Sequence, residues 1–455
     1  MIGFFRPPPD APDRPPSLVA QLYRRWQWSV FLSIVIGYTI FYVTRLSMSV
    51  SKSAMIDSGT LAVEQAGVID AVFLVTYAVG KTANGFLADR VSIRRFFATA
   101  LLVSSVMNLA FGLSSTFIVF ALLWAVNGWA QSTGVPASGV VMASWFSTRE
   151  LGTRYSIWSL AHHLGEGLTF LFSAHLISAA TERGAGPDAW RAAFLGPAAL
   201  GVVTAVILFR TVADRPRSKG LPAIEELAAT PVPATPEPET LGGAQLAALR
   251  NPWILLCGVA SGLIYVSRWA INNWGVYYLE LERGYSVEDA ASAHAIFPMS
   301  GIAGALLAGP ISDRFARGMR VPVAVGYGVM FCGSLAVFYY AGPESHALVR
   351  IALAVAGIGM GGLLVFLGGL LAMELCSRRA AGAALGIIGG FSYAGAGIQA
   401  VLSGYLIDGA DFTRVKLLWL GAPCLAVVIT VLLWRPERHA KRVSLEQRAS
   451  AAVER

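Results

Sequence analysis

Twelve apolar runs constrain the fold of this 455-residue chain more than any other feature of its sequence. A helix needs about 20 apolar residues to cross the hydrocarbon core of a bilayer, and lipid leaves no other partner for the backbone polar groups than the helix itself. We therefore predict an all-α membrane protein with twelve transmembrane helices. The runs cover 28–50, 66–88, 95–113, 116–143, 153–180 and 192–211, then 253–279, 291–311, 321–341, 346–374, 379–406 and 414–434.

Composition and charge agree with this prediction and orient the chain. Hydrophobic residues make up 55% of the sequence and charged residues 14%, which excludes an ordinary soluble domain. The first run begins too late and is too long for a cleaved signal peptide. Lys and Arg gather on one side of a twelve-span arrangement, so we expect both termini to be cytoplasmic. The clusters are Arg24 and Arg25; Arg90, Arg94 and Arg95; Arg149 and Arg154; Arg314, Arg317 and Arg320; Arg378 and Arg379; Arg435 and Arg438, and the opposite loops hold Asp57, Glu64, Glu280, Glu282, Asp408 and Asp411.

The chain divides into two halves of six runs each. A polar, proline-rich stretch at 214–250 separates them and is typical of a linker, because it cannot bury a core. We predict a cytoplasmic tail at 1–26, a six-helix bundle at 27–212, a cytoplasmic linker at 213–250, a second six-helix bundle at 251–436 and a cytoplasmic tail at 437–455.

The two halves also share a loop motif. The sequence NGFLADRVSIRR ends the second run and AGPISDRFARGMR ends the eighth, which indicates an internal repeat. One copy alone is equally well explained by a basic cytoplasmic loop without a special role. Two copies at matching positions resemble the signature loop of the major facilitator superfamily, which implies two pseudo-symmetric six-helix bundles with a substrate site at mid-membrane. We predict that Asp89, Arg90, Asp313 and Arg314 belong to conformational-switch loops.

Each half carries one arginine in its first span, Arg45 and Arg268. A charge inside a membrane span is costly and usually faces a cavity. Arg45 lies toward the end of its run and could instead extend to the interface, although a helix continuing past it would bring it nearer the middle. Two opposed guanidinium groups repel each other unless an anion lies between them, and their planar forks suit a phosphoryl group.

Other polar side chains could complete such a site. Tyr38 and Tyr42 share the helical face of Arg45, and Tyr77 and Lys81 lie one turn apart in the second span. The tyrosines could equally be packing residues. His162 is either a neutral histidine bonded to a neighbouring helix or a protonatable donor to bound phosphate. We expect the ring of His163 to point elsewhere, since adjacent helical residues diverge by about 100°.

Several other classes of site are excluded or disfavoured by the sequence. The four cysteines lie singly in apolar runs without CxxC spacing, and no glycine-rich string carries the residues of a nucleotide loop. We therefore expect no metal, no cofactor, no nucleic-acid partner and no enzyme activity. Glu374, which precedes Arg378 and Arg379, is predicted to join a cytoplasmic ion-pair network.

Seven motifs follow one another from the first run to the eleventh: GYTIFYVTR, TYAVGKTANGFLADR, WAQSTGVPASG, SIWSLAHHLGEG, DRPRSKGLPAIEE, YVSRWAINNWG and AAGAALGIIGGFSYAGA. Together they resemble the organophosphate:phosphate antiporter family. The resemblance implies exchange of a phosphorylated metabolite, of the hexose 6-phosphate or glycerol 3-phosphate class, for inorganic phosphate in a bacterial inner membrane. It also implies that Arg45 and Arg268 bind phosphate with help from His162, and that the pore is lined by Lys81 and Tyr38, Tyr42, Tyr77, Tyr265 and Tyr393. Separately, we expect the protein to be monomeric.

Departures from the family pattern leave the role open. Leu46 stands where the family usually has lysine, Val140 where it often has arginine, and Asn273 where an aspartate is common. The segments FFRPPPDAP and AINNWGVYY are most similar to the sensor branch of the family, which signals through a membrane histidine kinase. A receptor for hexose phosphate is therefore the alternative, and a proton-driven carrier of other anions is a third.

Overall fold

The computed structural model describes residues 3–227, 240–285, 287–342, 345–406, 412–435 and 437–438, which are mostly helical and contain no β-strand. The predicted acidic positions Asp408 and Asp411 lie outside the described residues, as do the centre of the linker and most of the C-terminal tail. The side chains of Asp57, Glu64 and Glu280 also lie outside the description.

The described chain forms two compact units. The first comprises the described residues of Met1–Phe146 and Trp158–Leu227, and the second those of Ser147–Ile157 and Ala228–Arg455. The segment Ser147–Ile157, which the sequence assigns to the N-terminal bundle, thus groups with the second unit. The predicted domain boundaries themselves stay predictions.

The first half of the sequence contains nine α-helices among its described residues. They are α1 (Pro16–Arg45), α2 (Ser47–Asp57), α3 (Val63–Ala88), α4 (Ile93–Leu113), α5 (Phe117–Gln131), α6 (Gly134–Trp145), α7 (Thr148–Glu182), α8 (Ala192–Thr211) and the short α9 (Ile224–Leu227).

The second half contains eight more, again counting only described residues. They are α10 (Leu241–Arg250), α11 (Pro252–Arg283), α12 (Val287–Pro310), α13 (Val321–Tyr340), α14 (His346–Val365), α15 (Leu371–Glu374), α16 (Ala381–Leu406) and α17 (Thr413–Leu432). A π-helical turn, Phe366–Leu370, joins α14 to α15 within one predicted span.

Eleven helical segments of the described chain have the length and hydropathy of a membrane span. The predicted fifth span is also one continuous helix, α7, but His162, His163 and Glu166 near its middle lower its mean hydropathy. The prediction of an all-α membrane protein is confirmed.

Two predicted spans of the first half are interrupted helices rather than single ones. The first breaks at Leu46, so that Arg45 is the last residue of α1 and α2 resumes at Ser47. The fourth breaks between α5 and α6 at Ser132 and Thr133. Hydropathy cannot reveal either break, because the apolar pattern continues through both.

The N-terminal tail packs along the first unit. The backbone N–H of Ser92 donates to the carbonyl of Phe5 at 2.9 Å, and that of Arg14 donates to Gly220 at 2.9 Å. Asp10 pairs with Arg215 at 3.0 Å. The tail therefore joins the loop before α4 to the segment that follows α8.

Candidate functional site

Arg45 lies at the centre of a cluster of cationic and phenolic side chains in the first unit. Its guanidinium carbon is 4.5 Å from the ring centroid of Tyr42 and 4.5 Å from that of Tyr77. Tyr42 precedes Arg45 by three residues, so helical geometry places both on one face of α1. The Arg45 side chain therefore points into the unit, between two aromatic rings. It does not extend to the interface, which was the alternative expectation.

Lys81 brings a second cation to the same cluster. It is only 5% exposed, and its Nζ lies 5.8 Å from the ring centroid of Tyr77. Lys81 and Tyr77 are four residues apart on α3, as the sequence predicted. Two positive side chains from two helices thus share one tyrosine ring; we call Tyr42, Arg45, Tyr77 and Lys81 the Arg45 cluster.

Tyr38 and His162 extend this cluster toward α7. The ring of Tyr38 stacks on Trp158 at 4.8 Å and meets Tyr42 edge-on at 5.5 Å. The imidazole of His162, which is buried, lies 5.9 Å from the ring of Tyr42. Trp158 was not predicted, because an indole in an apolar span carries no sequence signal of its own.

The close approach of α7 to α1 depends on a glycine. A Cβ at Gly165 would lie 2.5 Å from the carbonyl oxygen of Thr39 and closer still to Tyr42. The hydroxyl of Thr169 also donates to the carbonyl of Tyr42 at 3.3 Å. Only glycine permits this contact, which brings His162 beside the tyrosines.

The prediction that His163 points elsewhere is wrong. The two imidazole rings lie 3.9 Å apart with an interplanar angle of 39°. Neighbouring Cβ atoms diverge around a helix, but rotation about χ1 lets long planar side chains converge beyond them.

A buried polar network lies directly behind Arg45 and was missed by the sequence analysis. The Arg45 Nε donates to Gln131 Oε1 at 3.4 Å, and Gln131 Nε2 donates to the hydroxyls of Thr44 at 2.9 Å and Ser104 at 2.7 Å. The Ser104 hydroxyl donates to Asn127 at 2.6 Å. An amide in an otherwise apolar span was the available signal; its partners depend on how helices pack and could not be read from the sequence.

Arg268 lies in a second aromatic cluster, in the second unit. Its guanidinium carbon is 5.3 Å from the ring centroid of Tyr265. Tyr393, on α16, is 5.8 Å from Tyr265 and 6.3 Å from Trp269. We call Tyr265, Arg268, Trp269 and Tyr393 the Arg268 cluster; Trp269 was not among the predicted site residues.

The predicted switch-loop residues of the second half are a half-buried carboxylate and an exposed cation. Asp313 forms an ion pair with Arg320 and accepts hydrogen bonds from the backbone N–H of Thr153 at 3.2 Å and its hydroxyl at 2.6 Å. Arg314 is exposed to solvent. The side chain of Arg320 is only 2% exposed and also donates to Glu374 at 3.0 Å, which confirms that Glu374 belongs to an ion-pair network.

The first-half copy of the motif ends α3. Asp89 follows the last helical residue, Ala88, and is half-buried, whereas Arg90 is exposed. The next helix, α4, is capped from a distance, since Asp214 accepts from the backbone N–H of Arg94 at 2.6 Å and from the Ser92 hydroxyl at 2.9 Å.

Comparison with known proteins connects these clusters to a family of transporters. The model of the Major Facilitator Superfamily matches residues 30–400. The chain is 30% identical to the probable hexose phosphate transport protein of Chlamydia trachomatis, over 94% of this chain and 95% of that protein. It is also 30% identical to the membrane sensor protein UhpC of Escherichia coli, over 88% of this chain and 90% of that protein.

A solved structure shows the same fold at lower identity. The fucose:proton symporter FucP of E. coli superposes with a TM-score of 0.67 at 13% identity, over 90% of this chain and 98% of that one. The predicted resemblance is confirmed, and the relatives are transport and sensor proteins rather than enzymes. This chain belongs to the Major Facilitator Superfamily.

Proposed function

We propose that this protein is a secondary antiporter that exchanges a phosphorylated metabolite for inorganic phosphate by alternating access. One observation carries the proposal: two cations, Arg45 and Lys81, converge on Tyr77 within membrane-spanning helices. Two like charges close together in a low-dielectric region favour the binding of an anion between them. A relative named as a hexose phosphate transport protein supports a phosphate ester as that anion.

The proposed mechanism assigns the phosphoryl group to the two arginines. The guanidinium forks of Arg45 and Arg268 bind the anion, and the hydroxyls of Tyr38, Tyr42, Tyr77, Tyr265 and Tyr393 and the imidazole of His162 complete its shell. Bound anion neutralises the cations, so the loaded carrier changes conformation more easily than the empty one. The anion can favour the change of conformation only by binding one state more tightly than the other, and the empty carrier lacks this stabilisation. The carrier therefore returns with a second anion bound, which gives exchange rather than net uptake.

Proteoliposomes test the exchange directly. We expect labelled glucose 6-phosphate to enter vesicles loaded with inorganic phosphate and not vesicles without it. Unlabelled glycerol 3-phosphate, glucose 6-phosphate, phosphoglycerate and phosphate, added outside, rank the esters by competition. Uptake that does not depend on internal phosphate but requires a proton gradient would instead identify a proton-driven carrier.

The second candidate function is a receptor for hexose phosphate that reports to a membrane histidine kinase. The similarity to the sensor protein UhpC favours it. A receptor without flux binds the ester in detergent but exchanges nothing in vesicles. Binding and exchange measured on one preparation therefore separate the two functions.

We further propose that the protein lies in a bacterial inner membrane with both termini in the cytoplasm; the basic loops of the sequence support this orientation. We also propose that one chain suffices for exchange.

A further inference from the structure

We propose that Gln131 is a positioning residue that fixes the Arg45 guanidinium for phosphate binding. The proposal rests on the proposed function, since it concerns the same anion site. It is carried by the polar network of Thr44, Ser104, Asn108, Asn127 and Gln131, which joins α1, α4 and α5 and is completely buried.

The network anchors the break in the first span. The carbonyl oxygen of Thr44 accepts hydrogen bonds from the side-chain amides of Asn108 at 2.7 Å and Asn127 at 3.3 Å. Just past the break, the hydroxyl of Ser47 donates to the carbonyl of Val43 at 3.2 Å. Side chains thus satisfy backbone carbonyls where α1 ends, as helix interruptions within a membrane require.

The hydrogen bonds at Thr44 determine which groups donate and which accept in the rest of the network, as far as Arg45. Because Asn127 donates its amide N–H to Thr44, its carbonyl oxygen accepts the proton of the Ser104 hydroxyl. The Thr44 hydroxyl donates to the carbonyl of Phe41 at 3.1 Å. Each hydroxyl has a single proton, so toward Gln131 both oxygens act as acceptors.

This polarity leaves one orientation for the Gln131 amide. Its NH2 group must face the two hydroxyls, at 2.9 Å and 2.7 Å, and its carbonyl oxygen must therefore face Arg45 Nε. The guanidinium is held at one end by this acceptor and on its faces by the rings of Tyr42 and Tyr77. The donors on its terminal nitrogens are thereby presented in a fixed direction, which reduces the entropy lost when an anion binds.

A change of Gln131 to glutamate provides the sharpest test. The substitution keeps shape and length but places a carboxyl group against Arg45. The carboxylate pairs with the guanidinium and competes with phosphate for its donors. We expect the affinity of the purified variant for inorganic phosphate at neutral pH to be about tenfold or more lower than that of the native protein.

Gln131→Leu tests the hydrogen bond without adding charge. Losing a hydrogen bond to a charged group predicts a rise in the KM for phosphate exchange of about tenfold to a hundredfold, with a smaller change in turnover. Gln399→Leu is the matched control: Gln399 is also completely buried in a membrane helix, but it donates to Ser403 at 2.8 Å in the other unit. The control should retain the native KM.

Chemical labelling of Arg45 tests the positioning role without a measurement of transport. Phenylglyoxal modification of the peptide containing Arg45, followed by mass spectrometry, should be about threefold or more slower in Gln131→Glu than in the native protein, since an ion-paired guanidinium reacts less readily. Equal labelling rates, or a native affinity of that variant for phosphate, would overturn the positioning role. A native protein that binds no phosphate would refute the proposed function instead, and the labelling comparison would still decide the role of Gln131.

Discussion

Both arginines are flanked by aromatic rings, and the shape of the guanidinium matters as much as its charge. Lysine at either position keeps one positive charge but loses the planar fork and the stacking on tyrosine. We expect Arg268→Lys to reduce the rate of phosphate exchange about a hundredfold or more while leaving the folded yield of purified protein unchanged.

Arg250→Lys is the matched control for this change, because Arg250 is exposed at the end of α10 and lies outside the Arg268 cluster and the predicted switch loops. It should exchange at the native rate. Near-normal exchange by Arg268→Lys would remove Arg268 from the proposed site.

Contacts between side chains of the same helix could be predicted from the sequence. Contacts that depend on how different helices pack could not. The spacing of three residues between Tyr42 and Arg45 predicts their contact, which the structure shows at 4.5 Å. Gln131 contacts Arg45 across 86 residues of sequence, and no local pattern encodes that pairing. For the same reason the stacking of Trp158 on Tyr38 could not be predicted.

Among the elements, the loop after α12 is stabilised by a buried cation with two carboxylate partners. Burial lowers the pKa of Arg320, but the charges and hydrogen bonds of Glu374 and Asp313 outweigh it and raise the pKa, so the guanidinium stays charged. Asp313 in turn accepts two hydrogen bonds from Thr153 at the start of α7. The network therefore ties three segments of the second unit together.

Removing the cation from this network should destabilise the protein. Arg320→Met leaves two largely buried carboxylates without their partner, which typically costs about 3–5 kcal/mol. We expect a clear fall in the Tm of the purified protein in detergent. Arg314→Met, which removes an exposed arginine from the same loop, should leave the Tm unchanged; equal Tm values for native protein and Arg320→Met would show that the network contributes no stability.

The elements themselves show what hydropathy can and cannot predict. Apolar runs located the membrane helices because burial in lipid requires them. They did not reveal the breaks after Arg45 and Gln131, since helix interruptions depend on hydrogen bonds from neighbouring helices, such as those from Asn108 and Asn127 to Thr44. The break after Arg45, which matters most for the site, thus depends on contacts between helices.

At the scale of the whole molecule, the distribution of charge is the argument for the proposed orientation. The N-terminal tail packs against the loop before α4 and the segment after α8, both rich in arginine. By the positive-inside rule, we expect this side of the first unit to face the cytoplasm and the loop between α7 and α8 to face the opposite side.

Cysteine labelling tests that orientation in a variant whose four native cysteines are replaced by alanine. Ala185→Cys lies in the exposed loop between α7 and α8, and Leu249→Cys on α10 replaces a side chain that is 45% exposed. We expect a membrane-impermeant maleimide to label Ala185→Cys in intact spheroplasts and to label Leu249→Cys only after the membrane is permeabilised. The reverse pattern would place the basic loops outside and contradict the orientation, whereas labelling of both positions in intact spheroplasts would contradict the proposed number of crossings between them.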